Sequence, residues 1–238
     1  MDTRHLHALA TNASAIGDVA TLYTLLGRAP QLLHATQQVK QPIMRTAAAN
    51  NQMAVLAMLL AQGADVDVRD SLGWTPLMVA VRFDHDDLVK LLCSYGASRT
   101  AQSALGCTAA DYAAAYGNHE LHAWLKETLH WTPLHHVELL TPARARALLR
   151  AGADLQHGSP SPLERAQAIG GEAAKLVVLA AQPWSAQTHG LFSEAARAHA
   201  RAVLLLAYQL GKQPQYAMQA QALVDIWVHH LLPIAVSR

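Results

Sequence analysis

Charge is scarce in this chain and evenly split. Its 238 residues carry 18 Lys and Arg against 17 Asp and Glu, a net charge of +1 with the histidines neutral. That balance excludes a nucleic-acid binder working through a cationic surface, because such affinity comes from neutralising phosphates. Long apolar runs are missing as well. The longest candidate, Ala202 to Tyr208, falls far short of the ~18 residues that suggest a membrane helix, so no membrane insertion is expected. Met1-Asp2-Thr3-Arg4-His5 lacks the apolar block of a signal peptide. Cysteine occurs only at Cys93 and Cys107, too sparsely for a disulfide framework, and Cys93 sits at a repeated apolar helix position where it reads as a buried free thiol. These absences point to an intracellular, cytoplasmic protein. With 52% hydrophobic residues, the chain can nonetheless bury a core.

Catalytic patterns are equally thin. No Gly-rich phosphate loop and no Gly-x-Ser-x-Gly elbow is present, and Gly170-Gly171 reads as a bend between helices. Asp111, Glu138 and Glu164 stand alone as helix-surface carboxylates. Fourteen histidines raise the question of metal. The densest pair, His119 and His122, has helical spacing, but zinc needs three or four converging ligands and the cysteines do not join it. Arg144, Arg146 and Arg150 could grip an acidic partner, although Arg144 and Arg146 read more simply as a solvated helix face. No enzyme activity, cofactor, metal or small-molecule substrate is therefore expected.

What the chain does have is a period. Gly106 follows Gly73 by 33 positions, Thr108 follows Thr75 by 33, and Gly96-Ala97 follows Gly63-Ala64 by 33. A fixed period of that size marks a stacked repeat protein. The unit from Asp70 to Gln102 is the clearest. Asp70-Ser71-Leu72-Gly73 forms a turn, Thr75 caps a short helix whose first position suits Pro76, and Leu77, Ala80 and Val81 give that helix an apolar face. Asp84 to Asp87 make the bend. Leu88, Val89, Leu91 and Leu92 line a second helix, ended by Gly96.

This unit resembles the ankyrin repeat, a turn followed by two antiparallel helices. Asp70, Gly73, Thr75, Pro76, Leu77, Ala80, Leu91, Leu92, Gly96 and Ala97 stand where that family has them, while Met78 replaces its usual histidine and Asp84 its usual glycine. Weaker copies run from Ala13 to Leu26, from Pro42 to Asp65 and from Gly106 to Leu121. Another opens with Trp131-Thr-Pro-Leu-His-His136 and ends at Asp154. A terminal one begins at Ser161-Pro162-Leu163. Thr132 follows Thr108 by only 24 positions, so the intervening repeat lacks part of its turn. His135 matches the family histidine that bonds neighbouring backbone. The resemblance implies an all-α solenoid of about five to six helix-turn-helix repeats over residues 1–182, degenerate at both ends.

Beyond Pro183 the period is lost. Ser193 to Leu210 and Ala217 to Leu232 read as two helices, the second stopped by Pro233 and carrying His229-His230. Residues 183–238 would thus form a helical segment capping the last repeat. Pro183-Trp-Ser-Ala-Gln-Thr-His-Gly-Leu-Phe192 resembles a segment that follows ankyrin repeats in algal and protist proteins, and Leu223 to Pro233 resembles, more loosely, the start of an F-box without its leading Leu-Pro.

In the ankyrin family, partners meet the turn tips and the exposed side of each first helix. By position those residues are Ser71, Leu72 and Trp74 at the tips and Val79, Arg82 and Phe83 on the helix. Arg69, Asn50 and Asn51 flank them on one side, Ala104 and Leu105 on the other. Trp74 and Phe83 would be two large rings at solvent-facing positions beside arginine, the composition of a binding hot spot. The alternative packs Trp74 against the next turn and Phe83 against the following repeat. The resemblance implies a non-enzymatic scaffold for another protein, for example as a fixed subunit of a larger assembly. The other function it leaves open is a ubiquitin-ligase substrate adaptor docking through the last helix.

Overall fold

The computed structural model of the chain describes residues 3–29, 43–182 and 188–211. Every regular element among them is helical. Packing divides the chain into two compact units, Met1–Pro133 and Leu134–Arg238.

Among its described residues the first unit has four helical hairpins: α1 (Thr3–Ile16) with α2 (Val19–Arg28), α3 (Ile43–Ala49) with α4 (Met53–Ala61), α5 (Pro76–Arg82) with α6 (Asp86–Ser94), and α7 (Ala109–Ala115) with α8 (His119–Glu127). The short first helices pack side by side, α1 on α3, α3 on α5 and α5 on α7. Behind them α2 packs on α4, and α4 on α6. Leu22, Leu56, Leu59, Leu77, Leu88, Leu92 and Leu125 are fully buried between these hairpins, and so is Met78, which fills its place with a thioether where the family's histidine would need polar partners. Cys93 is buried too, and the loss of water around it pushes its thiol up to about 11, far from the reactive range. It and Cys107 are both free thiols.

Local chemistry starts and stops each helix. The Thr75 hydroxyl accepts the Met78 N–H at 3.4 Å, and Thr108 and Asp111 form a reciprocal capping box on α7. Asp18 caps α2 by accepting the Thr21 N–H at 2.9 Å, so the degenerate first copy does fold as a hairpin. At the bend between paired helices, Gly17, Asn51, Asp84 and Gly117 all take positive φ (81°, 53°, 60° and 82°). Asn and Asp tolerate this conformation better than other side chains, which is why the missing glycine at Asp84 does not abolish the turn. Gly96 ends α6 at φ 91°, placing the Ala97 N–H on the Leu92 carbonyl at 3.0 Å.

The turns that link successive hairpins project as fingers laced to one another. Asp70 Oδ1 accepts the N–H groups of Leu72 and Trp74, each at 2.9 Å, while its other oxygen meets Arg45 at 2.8 Å. The next finger donates its Ala104 N–H to the Leu72 carbonyl at 3.0 Å, and Arg69 donates to the Gln102 carbonyl at 2.6 Å. A Cβ on Gly73 would lie 2.8 Å from the Ala104 nitrogen, so only glycine lets the fingers approach this closely. Asp67 accepts the Ser98 N–H at 2.9 Å, and burial raises its pKa despite that bond.

In the second unit, the copy that opens at Thr132-Pro133 lacks a full first helix. Two 3₁₀ turns, Pro133–His135 and Val137–Leu139, stand in its place. The cause is Thr141-Pro142, which starts α9 (Pro142–Arg150) early and leaves no room for a longer helix before it. His135 is buried, and its Nε2–H donates to the His157 carbonyl at 3.0 Å, the structural role expected of it. Arg165 donates to the His135 carbonyl at 2.6 Å and pairs with Glu138. The helices α10 (Pro162–Ile169) and α11 (Glu172–Ala180) form the last hairpin, with Ser161 and Glu164 in a capping box. Arg150, of the run that could grip an acidic partner, is exposed and donates to the Gly190 carbonyl at 2.9 Å. Helix α12 (Glu194–Gly211) falls where a helix over Ser193–Leu210 is predicted, and its Ala200 and Val203 pack with Phe192. The predicted helix over Ala217–Leu232, with the F-box-like Leu223–Pro233, lies outside the described residues.

Two outcomes check this packing. Leu92→Ala should cost about 2–5 kcal/mol in a denaturant titration, the range for a fully buried leucine. For Asp67, a folded-state pKa above its unfolded value means that the ionised carboxylate weakens the fold at neutral pH. That loss disappears as pH falls through the raised value. Asp67→Asn, which keeps an acceptor for Ser98, should therefore be at least as stable as the parent at neutral pH. The gap should close on acidification, as read by denaturation across pH.

Candidate partner-binding surface

The first unit presents two rows of exposed side chains on its central hairpins. Fingertips supply the first row: Ser71, Leu72, Ala104 and Leu105 are all exposed, Leu72 at 61% and Leu105 at 80%. Each tip is held by its own turn, Gly73 N–H to the Asp70 carbonyl at 3.0 Å and Gly106 N–H to the Ser103 carbonyl at 2.9 Å, and Arg69 is exposed at the base. The second row lies at the C-terminal ends of the first helices. Arg82, Phe83 (47% exposed) and Tyr116 (51%) belong to it, with Asn50 and Asn51 exposed one repeat earlier.

Two residues expected on this surface are buried instead. Val79 is 1% exposed because it lies on the face of α5 that packs into the core. Trp74 is 9% exposed. Its ring lies against Tyr112 of the next repeat, with centroids 4.5 Å apart, while the Tyr112 hydroxyl hydrogen-bonds with Ser103 at 2.9 Å. Trp74 thus braces one finger against the next hairpin, the packing alternative rather than the hot spot. Phe83 keeps its exposure, stacked on His85 at 6.0 Å.

The second row carries a charge held over aromatic rings. The Arg82 guanidinium carbon is 5.4 Å from the Trp74 ring and 5.7 Å from the Phe83 ring, within reach of cation–π attraction. The acids nearby have partners of their own. Asp111 is held low by the Thr108 backbone N–H and hydroxyl, and Asp84 and Asp86 both accept from the Asn118 amide. Burial, then the charge of Asp84, raises Asp86. Tyr116 and Tyr112, stacked at 6.2 Å, were not among the sequence candidates. Adding one period to Phe83 would have found Tyr116. Among the described residues no three His, Cys, Asp or Glu side chains converge as metal ligands, and His122 Nδ1 meets the Ala110 carbonyl at 2.8 Å. No helix among them is long and apolar enough to cross a membrane.

This geometry separates stability from recognition. Trp74→Ala should destabilise the fold by about 3–5 kcal/mol, as large aromatic truncations do. Phe83→Ala should stay within about 0.5 kcal/mol, as surface changes do. Parallel urea titrations compare the two.

The profile of the family "Ankyrin repeats (3 copies)" matches residues 10–103 and 43–129. Two plant proteins that are provisionally named E3 ubiquitin-protein ligases are similar. XBOS31 of Oryza sativa subsp. japonica is 37% identical over 110 residues, 45% of this chain and 25% of that protein. XBAT31 of Arabidopsis thaliana is 31% identical over 104 residues, 43% of this chain and 23% of that one. The mitochondrial disaggregase of Bos taurus is 47% identical over 55 residues, 23% of this chain and 8% of its own length. The chain thus spans a quarter or less of the length of these curated relatives.

Proposed function

Because the chain belongs to the ankyrin repeat family, whose repeats mediate protein–protein interaction, we propose that it is a non-enzymatic scaffold that docks another protein on the exposed rows of its first unit. The observation that carries this reading is the exposure of Leu72, Phe83, Leu105 and Tyr116 on two adjacent repeats, with Arg82 beside Phe83, while Trp74, Leu77, Met78, Leu88 and Leu92 are buried. Large apolar side chains clustered on a surface mark an interaction site more often than they mark chance. Arg69, Ser71, Asn50 and Asn51 form its polar rim, with the small Ala104 among them. On this reading the described part of the C-terminal segment, residues 188–211, caps the last hairpin rather than acting as a second active module. Two free thiols suit work inside the cell.

A second reading has one observation in its favour: both plant relatives are named as E3 ubiquitin-protein ligases. On that reading the repeats hold a substrate and the last helix engages a ligase. Co-purification with ubiquitin-ligase components, lost on deleting residues 217–238, would support it.

Affinity purification of the full chain with mass spectrometry, repeated with Phe83→Asp and Leu105→Asp together, tests the main reading. Captured proteins should disappear from the variant while its circular dichroism stays unchanged. Capture that survives both substitutions would place the interaction elsewhere.

A further inference from the structure

We propose that the surface around Arg82 takes an acidic, apolar peptide segment of the partner, with one carboxylate on the Arg82 guanidinium and apolar side chains on either side. The inference rests on the scaffold reading and adds the chemistry of what is bound. Leu72 and Leu105 are one period apart, and so are Phe83 and Tyr116. Two adjacent repeats therefore present the same exposed pair, a leucine at the fingertip and a ring at the end of the first helix. Single exposed apolar residues are ordinary, but a pattern matched between neighbours offers a continuous strip. It stops on one side at Asn50, the residue one period before Phe83.

Arg82 supplies the charge. Among the described residues it makes no ion pair, whereas Asp70 pairs with Arg45, Asp84 meets Asn118 and Asp111 meets Thr108. Its guanidinium carbon lies over the Trp74 and Phe83 rings, 5.4 and 5.7 Å from their centroids. A guanidinium seated this way keeps its N–H edge for a planar, bidentate acceptor, and much of its rotamer freedom is already restricted, so less entropy is lost on binding. Trp74 is itself fixed by Tyr112, which fixes the platform in turn. The nearby cation, Arg69, already donates to the Gln102 carbonyl. One guanidinium over two rings, with exposed leucines on the same two repeats, matches a carboxylate flanked by apolar residues better than it matches the repeated phosphates of a nucleic acid.

A random-sequence peptide library displayed on phage and selected on the full chain tests this. Enriched sequences should carry Asp or Glu beside Leu, Phe or Trp, and as synthetic peptides they should bind Arg82→Gln roughly tenfold or more weakly than the parent. Arg82→Lys should restore binding only in part, because an ammonium lacks the bidentate fork. If Phe83→Ser and Leu105→Ser weaken binding but Arg82→Gln does not, the carboxylate is wrong and the scaffold surface stands. Peptides indifferent to all three substitutions would overturn both. Failure to enrich any acidic sequence, or equally tight binding of a labelled single-stranded oligonucleotide, would also overturn the inference.

Discussion

Each hairpin of the first unit has an apolar flank that only the next hairpin can cover. Helices seven to nine residues long, such as α5 and α6, cannot persist alone in water, since helix nucleation is unfavourable and few backbone bonds follow it. They persist because Leu77, Met78, Leu88 and Leu92 leave water entirely when neighbours stack. The constraint acts on nearest neighbours, so the repeats need only agree where they touch. This is why Thr75 and Thr108 share a capping role while the side chains facing water between them vary freely.

The same stacking prepares the outer surface. A finger is a few residues without regular structure, yet Asp70 ties its backbone down from within, and the Leu72–Ala104 and Arg69–Gln102 bonds tie it to its neighbour. Trp74 closes the arrangement by resting on Tyr112. A surface built from tied fingers and the rigid ends of helices changes little on binding, so little order has to be imposed on it when a partner arrives. Arg82 is the clearest case, a flexible side chain already laid across two rings.

Much of this could be read from residues. The 33-residue period, the cap at Thr75, the terminal copy opening at Ser161, the terminating Gly96 and the helix near Ser193 each follow from local chemistry that needs no knowledge of neighbours. Trp74 was harder. Its position is solvent-facing in an isolated repeat, and its burial depends on a tyrosine 38 positions later, a pairing set by the offset between fingers and helices. Val79 shows the reverse error. In a seven-residue helix packed on both sides, the core takes more of the circumference than an amphipathic pattern suggests, and all of Pro76 to Val81 is buried. The 3₁₀ turns after Thr132 escaped notice because Thr141-Pro142, a second start signal, lies hidden in a stretch that otherwise matches the family well.

Hydroxyl-radical footprinting of the full chain, read by mass spectrometry, tests most directly the claim that stacking buries Trp74 and Tyr112 and leaves Phe83 and Tyr116 exposed. Tryptophan is intrinsically the most reactive of these rings. The account predicts slow labelling of Trp74, Tyr112 and Leu92 with fast labelling of Phe83, Tyr116 and Leu105. Labelling of Trp74 as fast as Phe83 would contradict it.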